Sequence, residues 1–211
     1  MFQKYIDSQY RRPRGIVGRW IGRKMLQQHQ PENLWTIGLL DVKPDDQILE
    51  IGFGAGFAIQ EIAKHLVTGQ VTGVDFSAAM VRAAGRRSAK AIRAGRVRLV
   101  EGDAAQLPFP DNSFDKAFSI HSIYFWPDSQ AALKHILRVL KPGGMLAVTF
   151  LPTDRWESAS LEEPAPTPTF TPYSGVQMQN LLAQIGFMNT RIETDNSPQN
   201  RSNFSVVGYK A

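Results

Sequence analysis

The chain has 211 residues, of which 43% are hydrophobic and 20% charged, the size and balance of one soluble domain able to bury its own core. It has no cysteine, which excludes disulfide frameworks, thiolate zinc sites, iron–sulfur clusters and a cysteine nucleophile. No stretch nears about 18 apolar residues and no charged, apolar, small-residue leader opens the sequence, so a cytoplasmic protein is expected.

The net charge of +5 is unevenly spread. Residues 1–24 hold seven basic side chains against Asp7 alone, while the remainder carries 17 basic and 18 acidic residues. Within that neutral body, Arg82 to Arg98 contribute seven positive charges and no negative one. Such asymmetry points to peripheral contact with an anionic partner, or else to a solvated face that aids solubility.

Residues 1–40 read as a basic helical arm, a candidate lid, in which Val17, Trp20 and Ile21 share a face. Gly15, Gly18 and Gly22 each lower helix propensity by about 1 kcal/mol relative to alanine, so the arm needs something to order it. From residue 41 to 211, a single domain is expected, opening with alternating strands and helices. Short apolar runs predict buried strands at 47–51, 70–75, 96–100, 116–120 and 144–150, with helices at 57–67, 78–94 and 129–140. In the last helix, Leu133, Ile136, Leu137 and Leu140 recur as one stripe, which Lys141-Pro142-Gly143-Gly144 then ends. This alternation implies an α/β, doubly wound, mostly parallel sheet with helices on both faces.

Residues 151–172 contain five prolines and read as a long irregular loop, a lid or binding segment. A helix at 174–185, ended by Gly186, precedes strands at 187–194 and 203–210. No helix joins those two strands, so they should form an antiparallel hairpin, bringing the sheet to seven strands.

The stretch Ile48–Ala58 (ILEIGFGAGFA) runs from a strand through Gly52, Gly54 and Gly56 into a helix. Glycines in such a turn allow a ligand close to the backbone, and the helix N-terminus offers free N–H groups. A dinucleotide fingerprint would place its third glycine at position 57, which is Phe57, and no Gly-Lys-Ser/Thr phosphate loop follows. A compact ligand with a ribose and no pyrophosphate remains. Asp75, at the end of the second strand, is spaced to accept hydrogen bonds from a ribose diol, and Asp103 is positioned for an adenine amine.

Four ordered motifs carry a family resemblance: LEIGFGAG (49–56), VTGVDFSAAM (71–80), EGDAAQLPFPDNSFD (101–115) and RVLKPGG (138–144). The chain resembles a class I S-adenosylmethionine-dependent methyltransferase of the small seven-strand type, with a Rossmann-like sheet. The resemblance implies S-adenosylmethionine as cofactor, S-adenosylhomocysteine as product and no metal. It assigns cofactor binding to Glu50, Gly52, Gly54, Gly56, Asp75, Phe76, Ser77, Met80, Asp103 and Ala104.

The fourth strand runs into Ser119 and His121, which should border the reacting end, since ligands in parallel sheets lie beyond the carboxyl ends of strands. His121 is a candidate general base, or a contact to the cofactor's amino-acid end. Tyr124 and Trp126, with Trp20 and Trp156 in the arm and loop, are candidate acceptor contacts. The acceptor is expected to be a small molecule. A phospholipid or RNA approached through the basic arm is the alternative, with RNA disfavoured because no RNA-binding motif is present. A non-catalytic cofactor-binding protein is the third reading.

Overall fold

The computed structural model describes residues 30–155, 170–194 and 204–211. After a helix α1 (Gln30–Leu40), β1 (Gln47–Ile51) runs through the middle of the sheet. Its sequence QILEI is apolar on alternate sides, so Ile48 and Leu49 enter two separate cores. One core gathers Ile48 with Ile59, Ile62, Val71 and Phe118, and the other gathers Leu49 with Leu133, Ile136, Leu146 and Leu182. Two cores on opposite faces are what a doubly wound sheet requires.

Next come α2 (Phe57–Ile62), β2 (Gln70–Asp75), α3 (Ala78–Arg87), α4 (Ala89–Arg93) and β3 (Val97–Glu101). They are followed by β4 (Phe114–Ile120), α5 (Ser129–Val139), β5 (Leu140–Thr149), α6 (Gly175–Ile185), β6 (Met188–Thr194) and β7 (Phe204–Tyr209). The seven strands lie in the order β3-β2-β1-β4-β5-β7-β6. Strands β1 to β5 pair in parallel, while β7 pairs antiparallel with both β5 and β6. The strand order reverses between β1 and β4, and the crevice beyond their carboxyl ends is where such a sheet receives a ligand.

Three boundaries differ from the sequence expectation by more than two residues or in kind. The helix foreseen over 57–67 stops at Ile62: Lys64 and His65 bond three residues back rather than four, and the N–H groups of Val67, Thr68 and Gly69 then converge on the Pro44 carbonyl at 2.8–3.1 Å. The helix foreseen over 78–94 divides at Ser88, whose φ of −97° and ψ of 12° leave the helical region. Hydrogen bonds from Ser88 to Ala84 and from Ile92 to Ser88 nevertheless carry the helical phase across the break. Finally, Lys141–Gly144 are not a loop outside the sheet. β5 starts at Leu140, and its pairing with β4 jumps from Phe114–Leu140 to Lys116–Met145, so the one residue Asp115 of β4 faces four of β5. The Lys210 ammonium holds this bulge by donating to the carbonyls of Leu140 (2.7 Å) and Arg138 (3.1 Å).

Candidate active site

The glycine loop leaves β1 at Ile51 and is tied down at once, the Gly52 N–H donating to the Val74 carbonyl at 2.8 Å. Gly56 stands before α2 with φ +77°, and a β-carbon there would lie 2.6 Å from that of Ala84 on α3. Gly54 differs: at φ +52° a β-carbon would meet nothing within 4 Å. The gap at Gly54 therefore opens onto the crevice, and its backbone is free to approach a ligand. No side chain of the loop caps α2 from its N-cap position; instead Glu50, beneath it, accepts from the Ile59 N–H.

Asp75 closes the other wall. Its Oδ2 accepts from Gly54 N at 2.9 Å and its Oδ1 from Ser77 N at 2.8 Å, so one carboxylate fixes both the glycine loop and the entry to α3. Burial pushes the Asp75 carboxyl up to about 6, although these two bonds pull it down. Burial, and then the neighbouring Asp75 charge, push Glu50 up to about 8, against the Ile59 bond. The second oxygen of Glu50, Oε2, is buried without a hydrogen-bond partner. Among the described residues no lysine or arginine forms an ion pair with either carboxylate. A crevice with two carboxylates and no counter-charge suits a ligand that brings hydrogen-bond donors and positive charge.

Gly102 N donates to the Asp75 carbonyl at 3.1 Å, which seats the third corner beside the second. There Asp103 caps the short turn Ala104–Gln106 by accepting from Ala105 N at 2.9 Å, and Ala104 is buried. Phe76 is partly exposed at 38% beyond Asp75, while Met80 is buried in the first turns of α3.

Beyond β4, the Ser119 and Ser122 hydroxyls are 2.6 Å apart, and Ser122 also donates to the Ile51 carbonyl at 3.0 Å. A β-carbon on Gly52 would come within 2.4 Å of Ser122, so this corner rests directly on the glycine loop. His121 adopts φ +51°, unusual for a residue with a side chain, and its N–H donates to the Thr149 carbonyl at 2.9 Å. Its Nδ1 is 3.4 Å from the Tyr124 hydroxyl. Tyr124 accepts from Leu151 N at 2.5 Å and stacks on Phe170 with centroids 5.2 Å apart, while Phe125 packs edge-on to that ring at 5.8 Å. Burial raises the Tyr124 hydroxyl above the ordinary phenol range, so it stays a neutral donor and acceptor. Trp126, expected beside an acceptor, is buried in the core, with its indole N–H donating to Ser122 at 3.2 Å.

The fold thus bonds Gly54, Asp75 and Ser77 together, with Glu50, Gly52 and Gly56 on the adjoining strand and loop, Asp103 and Ala104 following β3 on one side and Ser119 and His121 at the end of β4 on the other. Trp20 and Trp156 lie outside the described residues. Sequence reading missed Ser122, which carries no motif, and Phe170, whose partner Tyr124 is far away along the chain. No helix among the described residues is long and apolar enough to cross a membrane, and no three His, Cys, Asp or Glu are placed there to hold a metal.

Residues 49–148 match the family described as a methyltransferase domain. An uncharacterized methyltransferase of Bacillus subtilis, YdaC, is 36% identical over 133 residues, covering 63% of this chain and 71% of that protein. The chain belongs to the class I S-adenosylmethionine-dependent methyltransferases. A sterol 24-C-methyltransferase of Gibberella zeae is 36% identical over 126 residues, 59% of this methyltransferase but only 33% of the fungal protein. The fold is shared with an S-adenosylmethionine-dependent methyltransferase from Aquifex aeolicus, at a TM-score of 0.73 and 20% identity, over 90% of this chain and 97% of that one. The residues present fit the family's cofactor: Gly54 leaves the gap that a side chain would fill, and the buried Oε2 of Glu50 lacks a donor.

Proposed function

We propose that this methyltransferase moves the methyl group of S-adenosylmethionine onto a nucleophile of a small-molecule acceptor by in-line displacement, releasing S-adenosylhomocysteine. The observation that carries the reading is the open gap at Gly54 beside the buried Asp75 carboxylate. The cofactor, when bound, supplies a sulfonium-activated methyl group. The chain's own task is therefore to hold, orient and keep dry, and positioning of this kind supplies about 7–11 kcal/mol of barrier lowering.

Asp75 accepts from the ribose hydroxyls, Asp103 and Ala104 hold the adenine end, and Glu50 with the glycine loop faces the cationic amino-acid end. Ser119 and His121 bond that same end, next to the acceptor. Tyr124 is buried, and the half-buried rings of Phe125 and Phe170 pack on it as an apolar wall, which suits a small acceptor with a flat or hydrocarbon part. That the fungal relative is a sterol methyltransferase supports an acceptor of that kind.

Calorimetric titration with S-adenosylmethionine and S-adenosylhomocysteine tests the reading. Wild type should bind both at micromolar level, and Asp75→Ala should weaken binding at least tenfold. No binding by the folded wild type would overturn it. Intact cofactor binding with no transfer to any oxygen, nitrogen, carbon or sulfur nucleophile would favour a non-catalytic binding protein.

A further inference from the structure

The run Arg82 to Arg98 divides into two groups. Three of its arginines have structural work. Arg87 donates to the Ala55 carbonyl (3.0 Å) and to Gln60, Arg96 donates to the carbonyls of Ala63 and Leu66, and Arg98 lies over the Phe109 ring at 5.6 Å. The other four, Arg82, Arg86, Lys90 and Arg93, are exposed. Among the described residues no carboxylate pairs with any of them.

Their spacing is i, i+4, i+8 and i+11. The helical bonds that cross Ser88 keep α3 and α4 in phase, so the four share one face. The opposite face is the one packed on the sheet, through Met80, Ala84 and Ser88, all buried. The result is a cationic stripe about 16 Å long on the outer surface. Ile92, 37% exposed, lies about 100° round the helix from Arg93, on the flank of the stripe.

We infer that this α3–α4 face docks on a bilayer containing anionic lipid. Clustered arginine and lysine on an amphipathic helix complement the negative potential of such a surface. Exposed Ile92 on the flank of the stripe adds an apolar contact of the kind a bilayer interface accepts. A single nucleic acid strand fits the face less well, since bases need rings to stack on and the stripe bears none. Phe76, an exposed ring among the described residues, precedes α3 rather than lying on the stripe. The sequence of residues 1–24 repeats the pairing of cations with apolar side chains, in seven basic residues with Trp20 and Ile21. The inference does not rest on the proposed acceptor, because vesicle binding and cofactor binding are read separately.

The test is co-sedimentation of the full chain with vesicles of phosphatidylcholine mixed with phosphatidylserine, against vesicles of phosphatidylcholine alone and against polyuridylate. Wild type should sediment with the mixed vesicles, hardly with the neutral ones, and less as salt rises. The fourfold variant Arg82→Gln, Arg86→Gln, Lys90→Gln, Arg93→Gln should bind mixed vesicles at least tenfold more weakly, with S-adenosylmethionine titration unchanged as the proof of folding. If the fourfold variant fails that titration, the pair Arg86→Gln, Arg93→Gln replaces it, with at least a threefold loss expected. Equal sedimentation with both vesicle types, undiminished binding by the folded variants, or tighter binding to polyuridylate than to the mixed vesicles would each overturn the inference.

Discussion

Two carboxylates on neighbouring strands share the floor of the crevice, Glu50 at 3% exposure and Asp75 at 5%. Each is held above its ordinary range, Glu50 to about 8 and Asp75 to about 6, chiefly because burial disfavours the charged form. The folded protein therefore keeps a proton on Glu50 that the unfolded chain has already released above about pH 4.5. Native stability should fall as pH rises from about 4.5 to about 8, and for Asp75 from about 4 to about 6. Glu50→Gln keeps the acceptor for Ile59 N–H and removes the ionisation. Thermal melting of the cofactor-free variant across this window should show a shallower decline, by on the order of a few kcal/mol. Parallel curves for variant and wild type would place the pH dependence elsewhere. Cofactor affinity should run the opposite way. Ribose hydroxyls and a cationic ligand both favour ionised carboxylates, so titrated affinity for S-adenosylmethionine should drop as pH falls below about 8, where Glu50 takes up its proton, and drop further below about 6, where Asp75 does. An affinity that is flat through that pH would remove Asp75 from the contact.

At the scale of elements, the start of α2 approaches α3 closely at Gly56 and Ala84. Gly56→Ala meets both the 2.6 Å contact and a φ of +77°, so it should cost about 2 kcal/mol or more in urea unfolding. Adding Ala84→Gly relieves the contact but not the backbone strain, so the double variant should recover only part of the loss. Full recovery would mean that the positive φ costs nothing there. These elements were readable because their signals are local. β1 and β2 fall at 47–51 and 70–75, as expected from apolar runs bounded by glycine and polar residues. The glycine loop and Asp75 were likewise readable from spacing within one strand–turn–helix unit. The features that escaped are tertiary. The bulge at Lys141–Gly144 is held by an ammonium from Lys210, and the segment after α2 is held by the Pro44 carbonyl. The Tyr124–Phe170 stack joins residues with no shared motif. Such contacts leave no periodic trace in a single sequence.

For the molecule as a whole, the sheet is completed by a strand that comes late in the chain. β7 lies between β5 and β6, so its backbone is paired on both edges, and Phe204, Ser205, Val206 and Val207 are all buried. Burying one phenylalanine and two valines contributes roughly 5–9 kcal/mol, comparable with the whole stability of a domain this size. The same strand positions Lys210 to hold the bulge at the start of β5. β5 in turn ends at Thr149, whose carbonyl fixes the backbone of His121 and whose hydroxyl lies 2.7 Å from that of Thr36 on α1. The support of the reacting end therefore runs back through β5 to β7, although no residue of β7 belongs to the crevice. A chain ending at Asn203 should lose cooperative thermal unfolding and, with it, binding of S-adenosylmethionine in the same calorimetric titration. Were the shortened chain to bind the cofactor with wild-type affinity, the β1–β4 half of the sheet would be an independently stable unit, and the crevice would owe nothing to the antiparallel edge.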